Sequence, residues 1–306
     1  MCGISGFYST DFLKRNEIEN QIYLMNETIN HRGPDNSGYW INQNNSVALG
    51  HKRLSIIDLS DAGSQPMISN SGRYIITFNG EIYNHKTIRK KLNNTGNNIS
   101  WKGYSDTETV INAIEIWGLE KTLSEIIGMF AFAVYDKSTK SLILARDRIG
   151  EKPLYYGLIN NNFVFGSELK VICKFKKFTS EIDVESLNLF LKYGYIPSPN
   201  SIYKGIKKLT QGSYLIVNLK NSKTLTINNN CYWDLKNVID KGKNNLFNGN
   251  LDEAVIELEN LLQKTISQQM VSDVDLGAFL SGGVDSSLVT ALMQKINIKK
   301  IKTFSI

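Results

Sequence analysis

The chain opens Met1-Cys2-Gly3. Methionine is commonly removed when a small residue follows it, which would leave Cys2 with a thiol and a free α-amine on one residue. Unperturbed, the amine titrates at about 7.7–8.0 and the thiol at about 8.5, so a proton can pass between them near neutral pH. Such a residue is a nucleophile with its own general base. A nucleophile that attacks a carbonyl group also needs donors aimed at the developing oxyanion. Asn79 has a side-chain amide, and Gly80 offers a backbone N–H that no side chain shields. The same Asn-Gly dipeptide is the usual signal of a tight hairpin turn, so two readings stand side by side here.

A second constellation is Leu280-Ser281-Gly282-Gly283-Val284-Asp285-Ser286-Ser287. It follows an apolar strand pattern and opens a helical one, where backbone N–H groups and the positive helix end can cradle an anion. Its glycines permit close backbone approach and its serines add hydroxyl donors. It lacks the lysine of G-x-x-x-x-G-K-[ST], so it is no P-loop. A capped glycine turn is the plain alternative.

The elements that must position these residues follow from periodicity. Ile18, Ile22, Met25 and Ile29 recur at helical spacing, which predicts a helix over 16–30 that stops before His31-Arg32-Gly33-Pro34-Asp35. Strands are predicted at 46–50, 53–57 and 73–78, helices at 84–92 and 107–117, and four further strands within 128–167. Ser105-Asp106 is a candidate helix cap. A helix fits 183–193, and strands fit 213–218 and 223–228. Strands and helices in separate clusters imply α+β layering. The polar stretch 236–250 reads as a linker. Beyond it Val255, Leu258, Leu262 and Ile266 form a helical stripe. A strand at 274–280, a helix near 286–295 and a strand at 301–306 then make one βαβ unit.

A chain of 306 residues with 42% hydrophobic residues has room for two domains. The net charge of +6 is spread over scattered Lys and Arg with no accompanying motif, which argues against a nucleic-acid partner. The longest apolar run, Met129 to Tyr135, is far too short to span a membrane. Three cysteines make no disulfide framework, and no basic-then-apolar leader opens the chain. The protein is expected to be soluble and cytoplasmic. Cys173 and Cys231 have no metal-ligand spacing and read as ordinary buried thiols.

Several patterns occur together and in order: Cys2-Gly3-Ile4, His31 to Asp35, Arg53-Leu54-Ser55-Ile56, Phe78-Asn79-Gly80-Glu81-Ile82-Tyr83-Asn84, Ser105-Asp106-Thr107-Glu108, Gly128 to Phe132 and Arg146 to Tyr156. This set resembles the glutaminase domain of class II glutamine amidotransferases, and most of all that of glutamine-hydrolysing asparagine synthetases. The resemblance implies an N-terminal nucleophile fold over 2–235, an αββα sandwich of two antiparallel sheets between helices. A linker at 236–250 follows, then part of an α/β parallel-sheet domain of the adenine nucleotide α-hydrolase type over 251–306.

By that resemblance Cys2 is the nucleophile, and Asn79 and Gly80 form the oxyanion hole. Arg53 takes the glutamine carboxylate, for which its guanidinium fork is suited. Glu81 and Asp106 accept from the ammonium. His31 is implied to be structural support. The loop at Leu280, Ser281, Gly282, Gly283, Asp285 and Ser286 resembles that of N-type ATP pyrophosphatases, and implies ATP and pyrophosphate binding with Asp285 helping to hold Mg²⁺. The implied substrates are glutamine, aspartate and ATP, with no further cofactor for glutamine hydrolysis, and a homodimer is compatible. Against the family pattern, the chain ends at Ile306 with two parallel strands, so it is expected to be a fragment or truncation that retains glutaminase activity alone. Two other readings remain open: an amidotransferase for another carboxylate, such as a sugar acid, or an inactive relic serving as a binding module.

Overall fold

The computed structural model describes residues 1–11, 13–44, 46–219 and 225–305. It separates into two compact units, Met1–Asp234 and Leu235–Ile306.

In the first unit the strands are β1 (Gly3–Tyr8), β2 (Asn36–Ile41), β3 (Val47–Arg53), β4 (Met67–Ile68), β5 (Tyr74–Ile82) and β6 (Gly128–Asp136). They continue with β7 (Ser141–Arg146), β8 (Tyr155–Ile159), β9 (Asn162–Gly166), β10 (Ile206–Lys208), β11 (Ser213–Asn218) and β12 (Thr226–Cys231). The helices are α1 (Arg15–Glu27), α2 (His85–Asn93), α3 (Asp106–Trp117), α4 (Leu119–Glu125), α5 (Leu169–Cys173) and α6 (Val184–Tyr193). One sheet runs β10-β8-β9-β1-β3-β2 and the other β12-β11-β7-β6-β5-β4. Every pairing in both is antiparallel.

The period-two pattern of β1 explains the layering. Ile4 and Tyr8 enter one core with Leu49, Ala133 and Leu144, whereas Phe7 enters another with Ile18, Ile22 and Met25. A strand buried on both faces must lie between two layers. The core containing Ile4 fills the space between the sheets. Phe7 packs under α1 and α5, and Phe78 and Phe132 of the other sheet pack under α2, α3 and α4. The result is the four-layer αββα sandwich. Truncating the fully buried Phe7 to alanine should cost about 3–5 kcal/mol, much of the margin of an ordinary domain.

Three local features bear on the site, the first a departure from the sequence reading and the other two a choice between its alternatives. The 53–57 strand does not form, because β3 ends at Arg53 and the chain turns away. Asn79 and Gly80 are not a hairpin turn. They lie inside β5, opposite Ala131 and Phe130 of β6. Ser105 alone caps α3, its Oγ accepting from Glu108 N at 3.2 Å, and Asp106 is the first helical residue. Further off, β2 and α4 were not anticipated, and the strand predicted at 223–228 is found at Thr226–Cys231, with 223 and 224 outside the described residues. Cys231 is exposed on that edge strand, so it is no buried thiol, while Cys173 is half-buried.

In the second unit the stretch read as a linker carries a helix, α7 (Leu235–Asn244), with no buried residue. Then come α8 (Leu251–Gln269), β13 (Gly277–Phe279), α9 (Val284–Ile296) and β14 (Lys302–Phe304). β13 and β14 pair in parallel around α9, which is the expected βαβ unit; Ile306 lies outside the described residues. Of the apolar stripe on α8, Ile266 is buried with Leu292 and Met293, while Val255 and Leu258 remain exposed.

Candidate active site

One cavity of about 140 Å³ is lined by Cys2, Arg53, Asn79, Gly80, Glu81 and Asp106. All six residues assigned from the sequence to nucleophile, oxyanion and glutamine binding therefore share one wall system, although they come from the segment before β1 and from β3, β5 and α3.

Cys2 stands just before β1. Its Sγ lies 3.5 Å from Leu54 O and 3.4 Å from Leu54 N, so the first residue after β3 cradles the sulfur. Burial pushes the thiol above its usual range, partly offset by the Leu54 contact and by the nearby chain terminus. The Met1 amine is pushed down, first by burial and then by Arg32 and Lys152. Arg32 also donates from Nε to Cys2 O at 3.0 Å and pairs with Glu168 at 3.0 Å. His31 reaches the same Glu168 at 2.9 Å, which leaves it in a supporting network outside the cavity.

Asn79 is 1% exposed, and among the described residues neither its Nδ2 nor its Oδ1 has a hydrogen-bond partner. A buried amide left unsatisfied costs about 1–3 kcal/mol per group, so the fold tolerates a penalty at this position. Gly80 is forced by close approach, since a Cβ there would overlap Met129 O and lie 2.7 Å from Phe130 Cα.

Arg53 is buried at the end of β3. Its guanidinium donates to Ser60 O at 3.0 Å and to Asp58 O. Those two bonds fix the fork and leave three of its five N–H donors for a ligand. Asp106 is fully buried, with Oδ2 accepting from Ile82 N at 2.9 Å and Oδ1 from Thr107 N at 2.8 Å. Burial nevertheless raises its pKa to about 6, with Glu81 adding to the rise. Burial raises Glu81 too, against the pull of Lys152.

The sequence reading assigned no role to Gln65, Thr107 or Lys152, which also line the cavity. Gln65 Oε1 accepts from Phe78 N at 2.6 Å and its Nε2 donates to Thr107 Oγ1 at 3.2 Å, which ties β5 to α3 beside Asn79. Lys152 belongs to the Arg146 to Tyr156 motif. Asp147 organises that loop by accepting from Gly150 N, Glu151 N and Lys152 N at 2.6–3.0 Å. The Arg146 guanidinium closes the loop on the carbonyls of Gly150, Lys152 and Leu209, each at 2.7 Å.

The serine–glycine loop belongs to the second unit. Gly282 takes φ +81° between β13 and α9, Gly283 caps α9, and Ser281 Oγ lies 3.0 Å from Ser286 Oγ. Hydroxyls and the N-terminal N–H groups of a thirteen-residue helix form a donor set for a phosphate-type anion. Asp285 is the loop's sole carboxylate. Mg²⁺ is usually held by one or two carboxylates with substrate phosphates, so this donor set fits such an ion only together with the phosphate ligand. Among the described residues no cluster of three or more His, Cys, Asp or Glu could hold a metal alone.

Comparison with known proteins identifies the family. The model of the glutamine amidotransferase domain family matches residues 1–233. The chain belongs to the glutamine amidotransferase family. The asparagine synthase family model matches residues 257–306, so this glutamine amidotransferase chain carries a second segment of different kinship. A Methanocaldococcus jannaschii protein provisionally named asparagine synthetase [glutamine-hydrolyzing] 2 is 36% identical over all of this chain and 59% of its own length. Asparagine synthetase [glutamine-hydrolyzing] 3 of Bacillus subtilis is 35% identical over 95% of this chain and 45% of its own length. The chain thus spans about half the length of the curated relatives it matches. Among solved structures, the allosteric regulatory enzyme of purine biosynthesis superposes with a TM-score of 0.55 at 17% identity, covering 99% of this chain and 65% of that one. At that identity the likeness bears on the fold alone. Among the described residues no helix is long and apolar enough to cross a membrane.

Proposed function

We propose that the first unit hydrolyses glutamine at Cys2 and that the whole protein is a glutamine-dependent asparagine synthetase. Glutamine enters with its carboxylate on the free donors of Arg53 and its ammonium between Glu81 and Asp106. The Cys2 sulfur attacks the side-chain amide carbon, its proton passing to the Cys2 α-amine exposed by loss of Met1. Asn79 Nδ2 and the Gly80 N–H stabilise the oxyanion. The amine returns the proton to the leaving nitrogen, ammonia departs, and water hydrolyses the glutamyl thioester to glutamate and free thiol.

The observation that supports this reading best is the unpartnered amide of Asn79 lining the same cavity as Cys2. An amide with no protein partner, buried at a cost, is suited to a charge that exists only during reaction. In the second unit Leu280, Ser281, Gly282, Gly283 and Ser286 would hold the pyrophosphate end of ATP, and Asp285 would share Mg²⁺ with it. ATP supplies the activation of the aspartate carboxylate that ammonia then attacks.

Two measurements check the two halves. Incubation with glutamine should release glutamate and ammonia in equal amounts, and no release from protein with Cys2 at its terminus would remove the first. Titration with pyrophosphate and Mg²⁺ should shift the amide resonances of Ser281 to Ser286, and an unmoved loop would remove the second.

A further inference from the structure

Lys152 is 3% exposed and lines the cavity beside Cys2, yet its ammonium has no ion pair among the described residues. Its hydrogen-bond partner is Met1 Sδ at 3.1 Å, and a thioether is a weak acceptor. A buried ammonium without a counter-ion is expensive, and most buried lysines are paired. Here the loop built on Asp147 and Arg146 holds the backbone of Lys152 in place on both its N–H and C=O. Removal of Met1 also removes that sulfur and leaves the ammonium in the cavity that Cys2 lines, within electrostatic reach of its thiol.

We propose that Lys152 is a positioning residue of the glutaminase site, whose fixed positive charge keeps the Cys2 α-amine unprotonated and favours the thiolate beside it. The inference rests on the Cys2 reading given above. Two other cations act on the same groups, Arg32 on the terminal amine and Arg53 on the thiol. Arg32 is paired with Glu168 and Arg53 is held by Ser60 O and Asp58 O, whereas the Lys152 ammonium has no ion pair among the described residues. The anions facing Cys2 and the terminus are Asp106 on α3, Asp35 before β2 and Glu81 on β5, and Glu151 faces Lys152 itself. These anions favour a protonated amine, and Lys152 opposes them together with Arg32 and Arg53. Burial and Arg32 lower the pKa of Lys152 itself, while Glu81 supports its charge.

The test is the pH dependence of glutaminase kcat/KM, which reports the free enzyme's essential acid and base. It is run on mass-verified protein beginning at Cys2, as wild type, Lys152→Met, Lys152→Gln and Lys152→Arg. Both neutral variants should lose activity mainly at low pH, their acid limb moving up by on the order of one pH unit. Lys152→Arg should keep the wild-type limb. The pH profile of Cys2 alkylation by iodoacetamide should move in the same direction. A uniform fall in rate with an unmoved limb in whichever neutral variant folds would overturn the inference, since that is the mark of a merely structural lysine. Absence of glutaminase in the wild type, with the alkylation limb still displaced in Lys152→Met, would instead sink the function and leave the electrostatic role standing.

Discussion

Gly63 stands against the Arg53 guanidinium so closely that a Cβ at position 63 would overlap Nη2. The fork is thus held from three sides, by Ser60 O, by Asp58 O and by the absence of a side chain at Gly63. Gly63→Ala should push the guanidinium off its axis without removing it. The expected result is a glutamine KM raised on the order of tenfold with kcat little changed, the same signature as Arg53→Ala in milder form. Steady-state kinetics decide it, and a Gly63→Ala enzyme with wild-type KM would detach Arg53 from substrate binding.

Asn79→Ala offers a sharper separation of function from fold. The amide makes no hydrogen bond among the described residues, so its removal deletes a buried unsatisfied group and breaks no such bond. Thermal stability should be unchanged or slightly higher, while kcat falls about 10²–10³-fold if the amide is an oxyanion donor. Calorimetry and kinetics on one preparation give both numbers. A clear loss of stability with kcat preserved would return Asn79 to a structural role.

Asp106 links the site to pH. Its folded-state pKa of about 6 lies above the usual carboxylate range, so between about pH 4 and 6 the folded state holds a proton that the unfolded state has lost. Its contribution to stability is therefore greatest in mild acid and declines as pH rises through 6. Asp106→Asn cannot titrate. The stability of wild type relative to Asp106→Asn should fall by about 2–3 kcal/mol between pH 4 and 7. Urea unfolding at both pH values measures it, and a difference that stays flat or grows would show that Asp106 is not held out of water as described.

Much of the site was legible because its residues sit in short ordered motifs, and the αββα layering was implied by the same motifs. The rest depended on distance in space. Lys152 reaches Met1 across 151 positions, and Gln65 meets Thr107 across 42, so neither contact leaves a local signal. Local propensity also conflicted with tertiary structure. Asn-Gly prefers a turn, but at Asn79-Gly80 the pairing of β5 with β6 overrides that preference, because tertiary burial outweighs a fraction of a kcal/mol of propensity. The strand predicted at 53–57 failed at Arg53, where the chain leaves the sheet to bring Leu54 against the Cys2 sulfur. β2 was missed because its Asn36, Ser37 and Gly38 are poor strand formers on an exposed edge, held there by backbone pairing to β3.

The most direct test of the account is made at the N-terminus. Protein whose mass shows Cys2 as the first residue, protein that retains Met1, and Cys2→Ala should be compared for glutamate release from glutamine. The processed protein should release glutamate, while the Met1-retaining form and Cys2→Ala should release none above background, with unchanged circular dichroism. Equal release by the Met1-retaining form would contradict the amine's role as base, and release by Cys2→Ala at the wild-type rate would contradict the assignment of the nucleophile itself.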